Sequence, residues 1–100
     1  MAPTDLATFS LAGKRALVTG ASRGIGRALA LGLARCGADV ALCARDTDAL
    51  TATAGDVEAL GRRAVAVELD VRDVKAITAA VARAADALGG LDVAVANAGI

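Results

Sequence analysis

The sequence contains no histidine, tryptophan or tyrosine, and it has 1 phenylalanine and 2 cysteines. Without histidine the chain cannot build a Ser-His-Asp nucleophilic centre, and it lacks the commonest protein ligand of transition metals. Cys36 and Cys43 lie in apolar stretches, at a spacing that suits neither a zinc site nor a redox-active dithiol pair. We therefore predict no metal site, and we interpret both thiols as small core residues of a protein from a reducing compartment.

Neither sign of charge dominates the chain. The 11 Lys and Arg residues balance the 11 Asp and Glu residues, and the longest basic run is Arg62-Arg63. A nucleic-acid interface needs a clustered basic face, so this pattern predicts no nucleic-acid partner. The first residues lack the basic and apolar regions of a signal peptide, and no apolar run is long enough to span a bilayer. The sequence therefore predicts a cytoplasmic protein without a membrane partner.

Small apolar residues are abundant instead. Apolar residues make up 56% of the 100 positions, with alanine the commonest, and this excludes a disordered chain. A chain of this length forms one domain at most. Alanine-rich helices are thin and can lie close to a sheet, but they offer few side chains large enough to wall a deep pocket.

Short apolar runs bounded by turn residues alternate with helical patterns. The runs predict buried parallel strands at residues 16–19, 40–43, 64–67 and 91–96. Asp46 and Asp73 are the predicted N-caps of the second and third intervening helices. The predicted C-terminal glycines are Gly37, Gly61 and Gly89-Gly90. The predicted core-facing side chains are, helix by helix, Ile25, Leu29, Leu33 and Cys36; Leu50, Val57 and Leu60; and Val74, Ile77, Val81 and Leu88.

This alternation predicts right-handed βαβ units and an α/β fold with a doubly wound parallel sheet. The fourth apolar run has no polar face, as is typical of a central strand with a neighbour on each side. No further strand pattern follows it in the chain. We therefore expect its second neighbour to come from sequence that this chain does not contain, so that residues 1–100 form the first part of a single domain.

A glycine-rich loop connects the first strand to the first helix. Gly20, Gly24 and Gly26 let the backbone turn sharply and approach a diphosphate, whose charge the free N–H groups of the helix start would meet. The spacing is GxxxGxG rather than the GxGxxG of the common dinucleotide fingerprint, and the Gly-Lys-Ser/Thr of a P-loop is absent. The alternative interpretation is a tight turn without a ligand.

The surrounding residues make a family resemblance specific. Residues 19–26 resemble the TGxxxGxG cofactor loop of the short-chain dehydrogenase/reductase family, and residues 13–18 are similar to that family's opening. Leu69-Asp70-Val71 resembles its adenine-side segment, and Asn97-Ala98-Gly99 resembles its NAG motif. These motifs follow in the family's order and cover nearly the whole chain. The chain departs from the pattern at Ala96, where the family often has a second asparagine.

The resemblance implies a Rossmann-like fold and an oxidoreductase that transfers hydride between NADP(H) and a carbonyl or alcohol substrate. Asp70 would accept a hydrogen bond from the adenine amino group, Val71 would flank the ring, and the Ile25 amide would donate to phosphate. Asp70 could instead start the next helix, and Asn97 could be a clamp between strands. The cofactor-binding residues implied are Gly20, Ser22, Arg23, Gly24, Ile25, Gly26, Arg45, Asp70, Val71, Asn97, Ala98 and Gly99.

The end of the second strand favours NADP over NAD. An NAD enzyme places an acidic residue there, which accepts hydrogen bonds from the ribose 2′-hydroxyl. Here Ala44 stands at the expected position and Arg45 follows it. A guanidinium can fork onto a 2′-phosphate, and Arg23 and Ser22 of the glycine loop can approach the same group. Asp46 could take the acid's role if this register is wrong, and Arg45 could be an ordinary surface residue.

No catalytic residue is identified in this chain. The resemblance implies a catalytic Tyr, Lys and Ser in the second half of the fold, and this chain has no Tyr. Its lysines, Lys14 and Lys75, flank a strand start and a helix start. We therefore predict the dinucleotide-binding portion of an oxidoreductase that is a homo-oligomer when complete, with its substrate undefined among 3-oxoacyl-carrier-protein, sugar and polyol classes. The alternatives are a non-catalytic nucleotide-binding half-domain and a degenerate structural fragment.

Overall fold

The computed structural model describes residues 10–97, and these form a four-stranded parallel sheet with three helices. In chain order the elements are β1 (Arg15–Thr19), α1 (Gly24–Arg35), β2 (Asp39–Ala44), α2 (Thr47–Ala59), β3 (Ala64–Glu68), α3 (Val74–Leu88) and β4 (Val93–Val95). The predicted α/β class and the alternation of strands and helices are confirmed. Each strand boundary lies within two residues of its prediction. However, β4 is shorter than predicted, and it is exposed rather than buried because it lies at the edge of the described sheet.

The strand order is β3-β2-β1-β4, so the chain reverses direction across the sheet after β3. Because parallel crossovers are right-handed, the two connections before the reversal place α1 and α2 on one face, and the connection after it places α3 on the other. In register, Leu17 of β1 lies beside Ala41 of β2 on one side and Ala94 of β4 on the other. The reversal leaves a crevice beyond the carboxyl ends of β1 and β4, where ligands of such sheets bind.

Two apolar clusters cover the two faces of the sheet. Successive strand residues point to opposite faces, and accordingly Val18 belongs to the cluster under α1 and α2 while Leu17 belongs to the cluster under α3. Leu50 and Val57 of α2 are fully buried in the first cluster, as predicted. Cys43 is buried in the second cluster, and burial raises the pKa of its thiol to about 11. Cys36, at the end of α1, is only half-buried.

The predicted core face of α1 is wrong at its start. Ile25 is 72% exposed and Leu29 is exposed as well, whereas Gly26, Ala30 and Ala34 are buried against the sheet. The reason is the close approach of α1 to the glycine loop, since a Cβ on Gly26 would overlap the carbonyl oxygen of Gly20. Small residues therefore face the sheet. Ile25 and Leu29 lie on the exposed side instead, while Leu31 is buried together with the small residues.

Three residues of the other two helices, Val74, Val81 and Leu60, were also predicted to face the core but are exposed. Val74 is 75% exposed and Val81 is exposed, because α3 packs on the sheet through Ala80, Ala84 and Leu88. Leu60 is exposed because it is the C-cap of α2 rather than a residue of its inner face. Small residues again lie nearest to the strands.

The predicted helix signals are confirmed. The Asp46 carboxylate accepts a hydrogen bond from the N–H of Ala49 at 3.0 Å, and the Asp73 carboxylate accepts from Lys75 and Ala76. Gly89 ends α3 in the left-handed conformation, with φ of 84°. Among residues 10–97, no helix has the length and apolar character needed to cross a membrane.

Candidate functional site

A cleft of about 920 Å³ opens at the carboxyl ends of the strands. It receives residues from the segments that follow all four strands. Its lining residues are Gly20, Ser22, Arg23, Gly24, Ile25, Ala44, Arg45, Asp46, Leu69, Asp70, Val71, Arg72 and Asn97. Of the candidate residues from the sequence, nine line this cleft and Gly26 lies beneath it, while Ala98 and Gly99 fall outside the described residues.

The glycine loop forms the floor of the cleft. Gly20 and Gly24 have φ of 64° and 59°, which L side chains rarely adopt. A Cβ on Gly24 would meet nothing within 4 Å, so open space lies directly beside the backbone at this point. Gly26 has no such space, because its neighbour is the backbone of Gly20. The loop therefore combines a tight helix–strand contact with a bare backbone surface that a bulky ligand can approach.

The start of α1 suits a negatively charged group. Its N-cap, Arg23, makes no capping hydrogen bond through its side chain, and the first turn contains no acidic residue. Within residues 10–97, the amide N–H groups of Gly24, Ile25 and Gly26 have no acceptor. Unpaired amides at a helix start carry partial positive charge and bind anions such as phosphate. The residues present thus fit the diphosphate of a dinucleotide.

Asn97 backs the glycine loop from the end of β4. The Thr19 hydroxyl donates to the Asn97 carbonyl at 3.1 Å, and a Cβ on Gly20 would lie 2.9 Å from both the side-chain nitrogen and the carbonyl oxygen of Asn97. This contact between the ends of β1 and β4 is the structural clamp considered from the sequence. Because Asn97 also lines the cleft, its clamping role does not remove it from the candidate site.

Asp46 is engaged by two neighbours at the end of β2. One carboxylate oxygen caps α2, and the other accepts from Arg23 at 3.4 Å. The Arg23 side chain is 79% exposed, and such an ion pair contributes less than about 1 kcal/mol, so Arg23 can leave Asp46 for a ligand. Arg45 is exposed, and among residues 10–97 it makes neither a side-chain hydrogen bond nor an ion pair. Ala44, which precedes it, offers no acidic group.

Asp70 forms a bidentate ion pair with Arg72, a residue that was not among the site residues predicted from the sequence. The Nε of Arg72 donates to one carboxylate oxygen at 3.0 Å, and a terminal nitrogen of the guanidinium donates to the other at 2.8 Å. The hydrogen bonds from Arg72, with a further charge effect of Arg45, hold the pKa of Asp70 well below its usual range. The only signal in the sequence was the Asp-x-Arg spacing directly after β3.

Asp70 does not start the helix that follows it. Asp73 is the N-cap of α3, and the Asp70 carboxylate faces Arg72 at the cleft instead. The alternative interpretation of Asp70 as a helix start is therefore wrong. Its lining position leaves the predicted adenine contact as a proposal.

The charges lining the cleft are unequal in number. Three guanidinium groups, from Arg23, Arg45 and Arg72, stand against two carboxylates, from Asp46 and Asp70. Both carboxylates are paired, each with one arginine. Arg45 is therefore the arginine of the cleft whose positive charge is not balanced by a lining carboxylate. Within residues 10–97, no group of three or more His, Cys, Asp and Glu side chains is arranged to hold a metal ion.

The chain is similar to known proteins along most of its length. The family model described as short chain dehydrogenase matches residues 14–100. Over 91 residues the chain is 50% identical to the L-rhamnose 1-dehydrogenase (NAD(P)(+)) of a Sphingomonas species, a match that covers 90% of this chain and 36% of that protein.

Solved structures include matches with either dinucleotide. A short chain dehydrogenase from Burkholderia cenocepacia in complex with NADP matches with a TM-score of 0.81 and 52% identity, over 84% of this chain and 35% of that one. Carveol dehydrogenase from Mycobacterium avium in complex with NAD matches with a TM-score of 0.84 and 39% identity, over 90% of this chain and 37% of that one. The chain thus spans about a third of the length of each of these three proteins.

Proposed function

The chain belongs to the short chain dehydrogenase family, and from this premise we propose that it supplies the dinucleotide-binding portion of an NADP-dependent oxidoreductase. The complete enzyme would transfer hydride between NADP(H) and a carbonyl or alcohol group of a small molecule. Similar proteins include several dehydrogenases, one of which is named for a sugar, L-rhamnose. A sugar or polyol is accordingly the first substrate class to test.

The observation that carries the choice of NADP is the Arg45 guanidinium at the end of β2, which has no side-chain partner among residues 10–97. An enzyme selective for NAD needs a carboxylate here to accept hydrogen bonds from the ribose 2′-hydroxyl. Ala44 cannot do so, and the carboxylate of Asp46 is oriented by the N–H of Ala49 and by Arg23. Arg45 lines the cleft and offers a guanidinium that a 2′-phosphate could accept from in a forked geometry.

The remaining lining residues would hold the rest of the dinucleotide. The diphosphate would lie against the bare backbone at Gly24 and accept from the amides at the start of α1. Ser22 would donate its hydroxyl near the ribose, and Arg23 would exchange Asp46 for the 2′-phosphate. Asp70 and Val71 would contact the adenine. When bound, the nicotinamide supplies or accepts the hydride.

The catalytic Tyr, Lys and Ser of this family would come from sequence beyond this chain. In that case Asn97 and the glycine loop fix the dinucleotide relative to them, because the Thr19–Asn97 contact ties the end of β4 to the end of β1. Cytoplasmic location and assembly into a homo-oligomer stay predictions for the complete protein.

Activity is tested by incubating the full-length protein with a panel of sugars and polyols and following the absorbance of the reduced nicotinamide. We expect turnover with NADP⁺ that exceeds turnover with NAD⁺ for the same substrate. Turnover with NAD⁺ alone would contradict the assignment of NADP. Absence of turnover combined with tight binding of NADPH would favour a non-catalytic nucleotide-binding protein.

A further inference from the structure

The turn between β3 and α3 holds Asp70 in one orientation. The N–H of Asp73 donates to the Asp70 carbonyl at 3.0 Å, which closes the turn. Within this turn, the backbone N–H and the guanidinium of Arg72 donate hydrogen bonds to the carboxylate of Asp70. The carboxylate is therefore fixed by a residue two positions away. No distant element of the described chain is needed to orient it.

The hydrogen bonds can be counted atom by atom. A carboxylate offers about four lone-pair positions, two on each oxygen. The Oδ1 atom of Asp70 accepts from the backbone N–H of Arg72 and from its Nε, each at 3.0 Å. The Oδ2 atom accepts only from the terminal nitrogen of Arg72, at 2.8 Å. Within residues 10–97, one acceptor position of Asp70 is thus left, and it belongs to Oδ2.

The remaining lone-pair position on Oδ2 of Asp70 can accept a hydrogen bond from a donor, but it repels another acceptor. Asp70 lines the cleft, so a ligand can reach it. The hydrogen bonds from Arg72 keep the pKa of Asp70 low, and an ionised carboxylate has no proton to donate. An amino group placed here would be bound, whereas a carbonyl oxygen in the same place would face the carboxylate without a proton between them.

We propose that Arg72 is a positioning residue that makes Asp70 a single, oriented acceptor, so that the cleft selects a purine with an exocyclic amino group over one with an oxo group. This inference rests on dinucleotide binding in the cleft, as proposed above, but it is independent of the 2′-phosphate. Arg72 would touch neither the phosphates nor the ribose in this role. Its effect on the ligand passes through Asp70.

The test measures base selectivity with a matched pair of dinucleotides. NAD⁺ and nicotinamide hypoxanthine dinucleotide differ only at the C6 edge of the purine, where an oxo group and a proton on N1 replace the amino group, and neither carries a 2′-phosphate. The dissociation constants of both are measured by calorimetry on the full-length protein, for the wild type and for Arg72→Gln. We expect the wild type to prefer NAD⁺, and Arg72→Gln to lose about tenfold of that preference, as for a weakened hydrogen bond to a charged group.

Two further variants separate positioning from charge. Arg72→Lys keeps the charge but cannot make the two-pronged contact, so it should restore only a minor part of the lost preference. Arg83→Gln removes an exposed arginine of α3 and should leave the preference unchanged. Because the Arg72 side chain is 76% exposed, its replacement should leave the melting temperature nearly unchanged.

Three results would overturn the proposal. The first is a preference for NAD⁺ over the hypoxanthine dinucleotide that Arg72→Gln leaves intact. The second is complete restoration by Arg72→Lys. The third is a loss in Arg72→Gln of the NADP⁺ over NAD⁺ preference alone, which would make Arg72 a phosphate ligand. By contrast, a wild type that prefers NAD⁺ to NADP⁺ but shows the expected base selectivity would refute only the NADP assignment.

Discussion

Replacing Arg45 by aspartate should convert a cleft that attracts a 2′-phosphate into one that repels it. Arg45 is exposed and has no side-chain partner among residues 10–97, so its loss removes no contact that stabilises the described fold. The variant loses a charge-assisted hydrogen bond and gains repulsion between the new carboxylate and the phosphate. Together these should weaken NADPH binding by about 2–4 kcal/mol, or about 30- to 700-fold in Kd. NADH should be affected little or even favoured, because a carboxylate here can accept from the ribose 2′-hydroxyl.

The assay is titration of the full-length protein with NADPH and NADH, followed by the fluorescence of the reduced nicotinamide. Adenosine 2′,5′-bisphosphate and 5′-AMP, used as competitors, isolate the contribution of the 2′-phosphate from that of the nicotinamide. Arg83→Asp is the matched control, since it makes the same change of charge on the exposed side of α3. An equal loss of affinity for NADPH and NADH in Arg45→Asp would refute the assignment of Arg45 to the 2′-phosphate.

Two other perturbations test the loop and the fold. Gly24→Ala forces a Cβ into a φ of 59°, at a cost of about 1–2 kcal/mol, and places a methyl group where the diphosphate would lie. Titration should show the Kd of NADPH and of NADH rising by a similar factor, and a loss confined to one of them would contradict the diphosphate assignment. The second perturbation is pH. Hydrogen bonds from Arg15 lower the pKa of Asp92 in the folded chain, so its stabilisation is complete above the unfolded value of about 3.9 and is lost as the pH falls through the folded value. Urea unfolding of wild type and Asp92→Asn should therefore show a smaller acid-induced loss of stability in the variant, and identical pH dependence would count against this ion pair.

The strands could be predicted because their signal is local. Each is a short apolar run between turn residues, and β1 and β2, which are buried on both faces, need no alternation of apolar and polar residues. The N-caps at Asp46 and Asp73 were equally readable, since the carboxylate and the amides that it accepts from lie within three residues of each other. Such features depend on the chain alone rather than on its tertiary packing.

The inner face of α1 could not be predicted from hydrophobic periodicity. The spacing of Ile25 and Leu29 correctly indicates an apolar stripe, but the helix packs against the sheet through Gly26 and Ala30. What decides between the two faces is the distance to β1, and that is set by the Gly26–Gly20 contact. Hydrophobic periodicity shows where the apolar surface of a helix lies, but it does not show which face of the helix packs against the sheet.

The candidate site was predictable in position but not in its pairing of charges. The glycine loop, Arg45 and Asp70 were found because each follows a predicted strand, and the carboxyl ends of parallel strands meet at one edge. The ion pairs of Asp70 with Arg72 and of Asp46 with Arg23 depend on side-chain rotamers and on the turn after β3. Only the structure shows that Arg23 and Arg72 are paired with the two carboxylates of the cleft and that Arg45 is not.

Whether this cleft binds NADP through Arg45 is decided by the ratio of two dissociation constants. The Kd of NADP⁺ and of NAD⁺ for the full-length wild-type protein would be measured by calorimetry at one ionic strength. We predict that NADP⁺ binds at least about tenfold more tightly, as expected for one charge-assisted hydrogen bond to the 2′-phosphate. Equal affinity, or tighter binding of NAD⁺, would contradict it.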